Sequence, residues 1–283
     1  MRIGIQSAQL GPLADPAAVR SVAVAAEQLG YASIWVVDRL PIRTAPRRTL
    51  DPIAVMAAIA AVTSRVRVGS GVLVAPWYRP AVLARALTSL DVLSGGRIDV
   101  GLGVGGPDDE QPTADRSVGD EGGLEDLLDV LDSHWGVGAP ADLRPVQRPR
   151  PPVLLAASTA SGRDRVARRA DGWMPAGVPI EALGPMWADL RDRAAGHGRD
   201  ADALRLVVRA DIELAERPLG PGRATYHGTI DQVVVDVEAT RRAGADEVVL
   251  RLGGAAGVDQ LLDACARIAE GVGPDTAVPV SRR

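Results

Sequence analysis

The chain has 283 residues, of which 46% are hydrophobic, enough to bury a large core within a single domain. Its formal net charge of −4 argues against a general nucleic-acid binder, and its apolar stretches are shorter than the roughly 20 residues that a membrane span requires. All 32 basic residues are arginine, and the absence of lysine excludes Schiff-base enzymes, pyridoxal-phosphate enzymes and the usual P-loop and kinase sites.

Histidine and cysteine are too sparse to build most metal or hydrolytic sites. His134, His197 and His227 are far apart and have no metal-ligand spacing, so neither a zinc hydrolase nor a histidine triad is predicted. Cys265 is the single cysteine, which leaves no intramolecular disulfide, and the first residues enter a strand without the regions of a signal peptide. We therefore expect a cytoplasmic protein in which a bound cofactor carries the difficult chemistry.

Strand-like runs rich in Val and Ile alternate with helical patterns along almost the whole chain. The first predicted helix shows clear end signals, with Asp15 as N-cap, Pro16 at the first helical position and Gly30 after the last. The predicted strands are, in chain order, 2–6, 33–38, 66–74, 97–103, 153–157, 172–175, 204–214 and 247–252. The helices predicted after them are at about 15–29, 51–63, 80–93, 124–135, 159–170, 180–197, 230–243 and 258–271.

Eight strand–helix pairs in a chain of this length predict the fold. The strands are near-continuous apolar runs, as in parallel sheets that are covered on both faces and joined by crossover helices. A doubly wound open sheet would use the same alternation, but the count of eight favours a closed (β/α)8 TIM barrel. We therefore predict an α/β protein with one barrel domain at residues 1–273 and a loose C-terminal tail at 274–283.

The functional residues of a (β/α)8 barrel lie in the loops that follow the strands, which limits the candidates. Here these segments are 6–7, 38–39, 70–72, 103–110, 157–159, 175–177, 209–211 and 251–253. The fourth strand ends in Gly101-Leu102-Gly103-Val104-Gly105-Gly106, which matches the dinucleotide fingerprint GxGxxG by letter. Because Pro107 follows it instead of a helix, we interpret it as a barrel loop that admits a ligand close to the backbone, or as a plain tight turn.

Asp38 ends the apolar second strand at the predicted barrel mouth. A carboxylate at this position must be paired or solvated, because burying it alone is costly. It could bind a polar coenzyme edge or act in proton transfer, or it could form a salt bridge to Arg39, Arg43, Arg47 or Arg48. These four arginines are themselves either a solvated face or a cationic rim for an anionic ligand tail.

The fifth predicted strand ends in Ala157-Ser158-Thr159, immediately before a helix. Free N–H groups at a helix N-terminus bind phosphate, and nearby hydroxyl groups add donors. Simple N-capping by Ser158 or Thr159 would use the same residues. Both interpretations place polar groups at the barrel mouth.

Several segments resemble the bacterial luciferase-like monooxygenases. The resemblance is carried by 50–72, 90–103, 168–173 and 243–250, and it spans residues 1 to about 270. Its most specific parts are Thr63-Ser64-Arg65-Val66-Arg67-Val68-Gly69 and Ser94-Gly95-Gly96-Arg97. The family implies a (β/α)8 barrel, often dimeric, that uses FMN or the deazaflavin coenzyme F420.

The resemblance also implies which residues hold the coenzyme. In the deazaflavin branch a non-prolyl cis peptide at the end of the third strand supports the middle ring, and the matching bond here is Gly71–Val72. The coenzyme phosphate binds after the fourth and fifth strands, and residues after the sixth strand line the same pocket. The implied coenzyme-binding residues are Asp38, which is also the candidate catalytic residue, Ser70, Gly71, Val72, Gly103, Val104, Gly105, Gly106, Ala157, Ser158, Thr159, Pro175, Ala176 and Gly177.

Two positions depart from the deazaflavin-dependent sugar-phosphate dehydrogenases of this family. Arg39 stands where those enzymes have His, and Gly106 stands where they have a catalytic Glu, so their substrate is not expected. The leading hypothesis is an F420-dependent oxidoreductase that transfers hydride between the deazaflavin and a small organic substrate. The alternatives are an FMN-dependent monooxygenase of the same family and a non-catalytic coenzyme-binding or structural homologue. We expect a homodimer that binds neither nucleic acid nor membranes.

Overall fold

The computed structural model describes residues 1–40, 48–106, 121–136, 144–175 and 177–272. The helices are α1 (Pro16–Leu29), α2 (Pro52–Val62), α3 (Pro80–Ser94), α4 (Glu121–Trp135), α5 (Ala160–Arg169), α6 (Ile180–Gly196), α7 (Ile230–Arg242) and α8 (Val258–Val272). The strands are β1 (Arg2–Gln6), β2 (Ser33–Val36), β3 (Arg67–Ser70), β4 (Leu73–Val74), β5 (Ile98–Gly103), β6 (Val153–Ala156), β7 (Gly172–Met174), β8 (Arg205–Leu214), β9 (His227–Gly228) and β10 (Glu247–Leu252).

The strands pair in parallel and the sheet closes on itself. The order around the sheet is β10-β1-β2-β3-β5-β6-β7-β8, and β8 pairs with β10 over six residue pairs from Val207 opposite Glu247 to Ile212 opposite Leu252. The two-residue β4 also pairs with β5, and β9 pairs with the end of β8. The predicted (β/α)8 barrel is therefore confirmed, while the predicted tail at 274–283 lies outside the described residues.

The third strand differs from the prediction of 66–74 because it is interrupted. It runs from Arg67 to Ser70, resumes at Leu73, and contains a cis peptide bond between Gly71 and Val72 in the interruption. The Gly71 amide donates to the Val36 carbonyl of β2 at 2.7 Å, so the irregular segment remains attached to its neighbour. The second strand also ends earlier than predicted, at Val36. Both departures lie at the carboxyl ends of the strands.

The end signals of the first helix act as predicted. The Asp15 carboxylate accepts hydrogen bonds from the amides of Ala17 and Ala18 at 2.8 and 3.2 Å, and Pro16 is the first helical residue. Gly30 follows α1 with φ of 83°, a left-handed conformation that glycine adopts without steric cost. Within the described ranges, no helix is long and apolar enough to cross a membrane.

The barrel interior is filled in layers below its mouth. An apolar layer of Trp35, Leu154, Met174, Val207 and Val249 is separate from the larger core between strands and helices. A Cβ atom at Gly69 would overlap the Trp35 ring, so glycine is required there for the indole to lie across the barrel. Beneath this layer lies a charged floor, which we define as Arg2, Arg67, Asp99, Arg205 and Glu247.

Candidate active site

Above the Trp35 layer the barrel opens into a cavity of about 430 Å³ at the carboxyl ends of the strands, hereafter the central cavity. Gly71, Gly103 and Ala156 lie in its wall and take up little space. A Cβ atom at Gly103 would approach Val72 Cγ2 to 2.8 Å, so a larger side chain would crowd the wall. The predicted site residues that line the central cavity are Asp38, Gly71, Val72, Gly103, Val104, Gly105, Gly106, Ala157, Ser158, Thr159 and Pro175.

The remaining predicted site residues are placed differently. Ser70 is fully buried, and its Oγ accepts from the Gly101 amide and donates to the Gly101 carbonyl, both at 2.9 Å. Ser70 therefore joins β3 to β5 and is absent from the cavity lining. Gly177 is also absent from that lining, and Ala176 lies outside the described residues.

Asp38 is buried at the edge of the central cavity and organises its wall. Its Oδ2 accepts hydrogen bonds from the Val74 amide at 3.1 Å and from the Tyr78 hydroxyl at 2.8 Å. Burial, reinforced by the Asp38 charge, raises the pKa of Tyr78, so the phenol remains a donor. Asp38 thus anchors β4, the resumed part of the third strand, and the segment that follows it. Two of the arginines considered as its partners, Arg43 and Arg47, lie outside the described residues.

The amino terminus of α5 borders the central cavity. Thr159 is the N-cap, and its Oγ1 accepts from the Gly162 amide at 3.0 Å, so the N-capping interpretation is correct for Thr159. Ala160 and Ser161 form the first positions of the helix, where amides precede the intrahelical hydrogen bonds and stay available to a ligand. The helix dipole adds partial positive charge at this end. Capping and anion binding are therefore compatible here.

The arginine of α5 that lines the central cavity is already paired. Arg165 lines the cavity, but its guanidinium group forms ion pairs with Glu121 at 3.0 Å and with Glu125 at 2.5 Å. Burial would lower the pKa of Arg165, but hydrogen bonds to the two glutamates outweigh it and raise the pKa. An anion at the start of α5 would therefore bind to backbone amides more than to this arginine.

A second charged group lies at the carboxyl ends of β8 and β10. Asp211 accepts from Arg209 at 2.9 Å and from Arg251 at 3.0 Å, so two guanidinium groups share one carboxylate. Burial would raise the pKa of Asp211, but the two arginines outweigh it and lower the pKa, which keeps the carboxylate charged. The group retains a net charge of +1, and both arginines line the central cavity.

Several lining residues were absent from the predicted site, although their strands were predicted. Val37 and Met174 lie at the ends of their strands and Val207 lies lower, on β8, and together they give the cavity an apolar floor and side. Strict alternation along each strand from Trp35 would have identified Val37. Among the described residues, no group of three or more His, Cys, Asp or Glu side chains is arranged to hold a metal ion.

Comparison with known proteins assigns the family. Residues 2–219 match the model of the luciferase-like monooxygenases. The chain belongs to this family. Proteins of Mycobacterium tuberculosis and Mycobacterium bovis described as uncharacterized are 33% identical to it over 192 residues. That match covers 59% of this chain and 63% of each relative, so it spans less than two thirds of the relatives' length.

Solved structures of low sequence identity share the fold. A monooxygenase of Streptomyces bottropensis has a TM-score of 0.76 at 22% identity, covering 96% of this chain and 98% of its own. An F420-dependent secondary alcohol dehydrogenase, solved with an F420-acetone adduct, has a TM-score of 0.80 at 16% identity, covering 96% and 99%. The long-chain alkane monooxygenase LadA has a TM-score of 0.72 at 15% identity, covering 95% and 90%. These structures share the fold alone, and it is the family match over residues 2–219 that confirms the predicted family and the prediction of an enzyme from it.

Proposed function

We propose that the protein is a coenzyme F420-dependent oxidoreductase that transfers hydride between this deazaflavin and a small organic substrate at the barrel mouth. The observation that carries the proposal is the central cavity, where Gly71 and Gly103 leave space for a flat ring system and the first turn of α5 borders the same space. When bound, the coenzyme would supply the redox chemistry that this chain's side chains lack.

The chain's own residues would hold the coenzyme and exclude water from it. Met174 and Val207 would contact the ring from below, and the wall fastened by Asp38 would limit its movement. Backbone amides at the start of α5 and in the 103–106 loop would bind a phosphate group. Asp38 would act by positioning this wall and, as the candidate catalytic residue, by accepting a proton from a group beside the ring.

Two other functions remain as alternatives with specific support. An FMN-dependent monooxygenase is favoured by the family description and by the fold shared with LadA. A non-catalytic homologue is favoured by Arg39 and Gly106, which replace the expected acid/base groups. The fold is shared with an F420-dependent alcohol dehydrogenase as well, so the choice between the two coenzymes rests on the titration below.

Fluorescence titration of the purified protein with F420 and with FMN separates these functions. We expect micromolar binding of F420, no comparable binding of FMN, and turnover of the bound coenzyme on a panel of alcohols and ketones. Gly103→Val should abolish coenzyme binding by crowding the wall near Val72, with circular dichroism unchanged. Gly196→Ala is the matched control, because a Cβ there would meet nothing within 4 Å.

Each other outcome identifies an alternative or rejects the proposal. Binding of FMN alone would favour the monooxygenase, and tight F420 binding without turnover would favour the non-catalytic homologue. Binding of neither coenzyme at millimolar concentration would overturn the assignment of the central cavity. We also propose a cytoplasmic homodimer; light scattering should give twice the chain mass, and a monomer would contradict this part.

A further inference from the structure

A second cavity, of about 820 Å³, lies beside the central cavity over the carboxyl ends of β1 and β10; we call it the lateral cavity. The segment after β1 and the segment after β10 form most of its wall. Leu10, Arg39 and Arg251 line both cavities, so the two spaces adjoin. A molecule in the lateral cavity would lie next to whatever occupies the central one.

Two buried polar atoms at the base of the lateral cavity have no hydrogen-bond partner. They are Oε1 of Gln6 and Oγ of Ser7, in side chains that are 8% and 5% exposed. Ile5 packs outward into the core between strands and helices. Because side chains alternate along a strand, the next residue, Gln6, faces the barrel interior, where it lines the cavity. Polar atoms buried in this way are normally paired, and an unpaired one calls for an explanation.

Gln9, three residues further on, shows that this segment can satisfy a buried amide. Its Nε2 donates to the Val37 carbonyl at 2.8 Å, and its Oε1 accepts from the Val37 amide at 3.0 Å. The protein thus pairs Gln9 fully while it leaves Gln6 and Ser7 unpaired beside an open space. A ligand that donates a hydrogen bond to Gln6 Oε1 would supply the missing partner.

The charged side chains in the described lining of the lateral cavity are all positive. Its described lining includes Arg39, Arg48 and Arg251 and contains no carboxylate. Two carboxylates lie close by: Asp211, which Arg251 shares with a second arginine, and Glu213, which packs against Gly253. The three lining arginines therefore outnumber these two carboxylates, and a small anion would be attracted.

We propose that the lateral cavity is the substrate site and that it binds a small organic carboxylate carrying a hydroxyl or amino group. The carboxylate would contact Arg251 and Arg39, and the hydroxyl or amino group would donate to Gln6 Oε1, with Ser7 Oγ as a second partner. The leucine side chains Leu10, Leu13 and Leu261 would contact its carbon skeleton. The term substrate depends on the proposed function, whereas the anion site itself depends only on these residues.

The test measures binding of a panel of hydroxy carboxylates, from lactate to mandelate, by calorimetry on the full chain. Each acid is paired with its neutral amide, and each also with the analogue that lacks the hydroxyl group. At least one acid should bind roughly tenfold more tightly than its amide and than its analogue without the hydroxyl group. If no acid binds more tightly than its amide, the proposal is overturned.

Two variants test separately the contact to the ligand's carboxylate and the contact to its hydroxyl group. Arg251→Gln should weaken the acid roughly tenfold and leave its amide unchanged, and Gln6→Leu should weaken only ligands that carry the hydroxyl group. The controls are Arg85→Gln and Gln28→Leu, which change exposed residues on α3 and α1. Acid binding that is insensitive to Arg251→Gln and to Gln6→Leu would overturn the proposal.

Coenzyme titration of the same samples separates this inference from the proposed function. Charge-selective binding of the acids without any F420 binding would reject the proposed function and keep the anion site. F420 binding without selectivity for the acids would reject the anion site alone.

Discussion

Neutralising Asp99 in the charged floor should destabilise the barrel strongly. The Asp99 side chain is fully buried; it accepts from Arg67 Nε at 2.7 Å and from Arg205 Nη1 at 2.8 Å. Burial alone would raise the pKa of Asp99, but the guanidinium groups of Arg205 and Arg67 outweigh it and lower the pKa. The carboxylate therefore stays charged, and Asp99→Asn would leave three arginines facing Glu247 alone.

The magnitude follows from the burial of the partners. Breaking a buried ion pair by removing one charge costs about 3–5 kcal/mol. The side chains of Arg67 and Arg205 keep 25% and 19% exposure, so water relieves part of the cost and the lower end applies. We expect Asp99→Asn to lower the free energy of unfolding by about 3 kcal/mol and the melting temperature by about 6 °C.

Urea unfolding followed by tryptophan fluorescence measures this loss. Trp35 reports on the floor directly, because its indole N–H donates to Glu247 Oε1 at 2.8 Å. Asp192→Asn is the matched control, since Asp192 is exposed on α6 and its change should leave the urea midpoint unaltered. A loss below about 1 kcal/mol for Asp99→Asn would refute the reasoning and show that water already solvates the floor arginines.

Two further predictions concern single titratable groups. Burial opposes ionisation of Glu27, but the backbone amides of Val66, Arg65 and Ser64 lower its pKa to about 2. Because this is below the unfolded value of about 4.3, the stabilisation is complete above that pH and is lost as the pH falls toward 2. Denaturant titrations at pH 6 and pH 3 should therefore show Glu27→Gln costing about 1–2 kcal/mol at the first pH and less at the second, and an equal cost would contradict this assignment. Burial raises the pKa of the Cys265 thiol to about 12, so Ellman's reagent should label it only in denaturant, and rapid labelling of the native chain would disprove its burial.

Local patterns in the sequence predicted the architecture well. Within each strand and each helix, apolar residues recur every few positions, because only some side chains of the element face the core. These local periods predict the alternation of strands and helices. Asp15 and Gly30 marked the ends of α1 for the same local reason, since caps bond to amides and carbonyls within one turn. The resemblance correctly placed a cis peptide bond at Gly71–Val72, but local patterns did not show where the third strand stops and resumes pairing, because pairing is decided by the neighbouring strands β2 and β5.

The family resemblance identified residues at the barrel mouth, but the sequence did not show which contacts each of them makes. Ser70 was expected beside the coenzyme and instead bonds to Gly101 on the neighbouring strand. Asp38 was considered with nearby arginines, yet two of its hydrogen bonds come from Val74 and Tyr78, which are 36 and 40 residues away. The hydrogen-bond geometry of such distant pairs depends on how the strands are staggered around the barrel.

The sequence by itself therefore determined the eight-fold alternation, the barrel and the set of loops that form its mouth, because these depend on side-chain periodicity and on the direction of parallel strands. Only the tertiary structure decided which mouth residues share a cavity, that Gln6 and Ser7 lie unpaired beside arginines, and that Asp99 and Arg205 meet across 106 positions of chain. These contacts arise from barrel closure, which brings distant strand ends to one edge and sets their register.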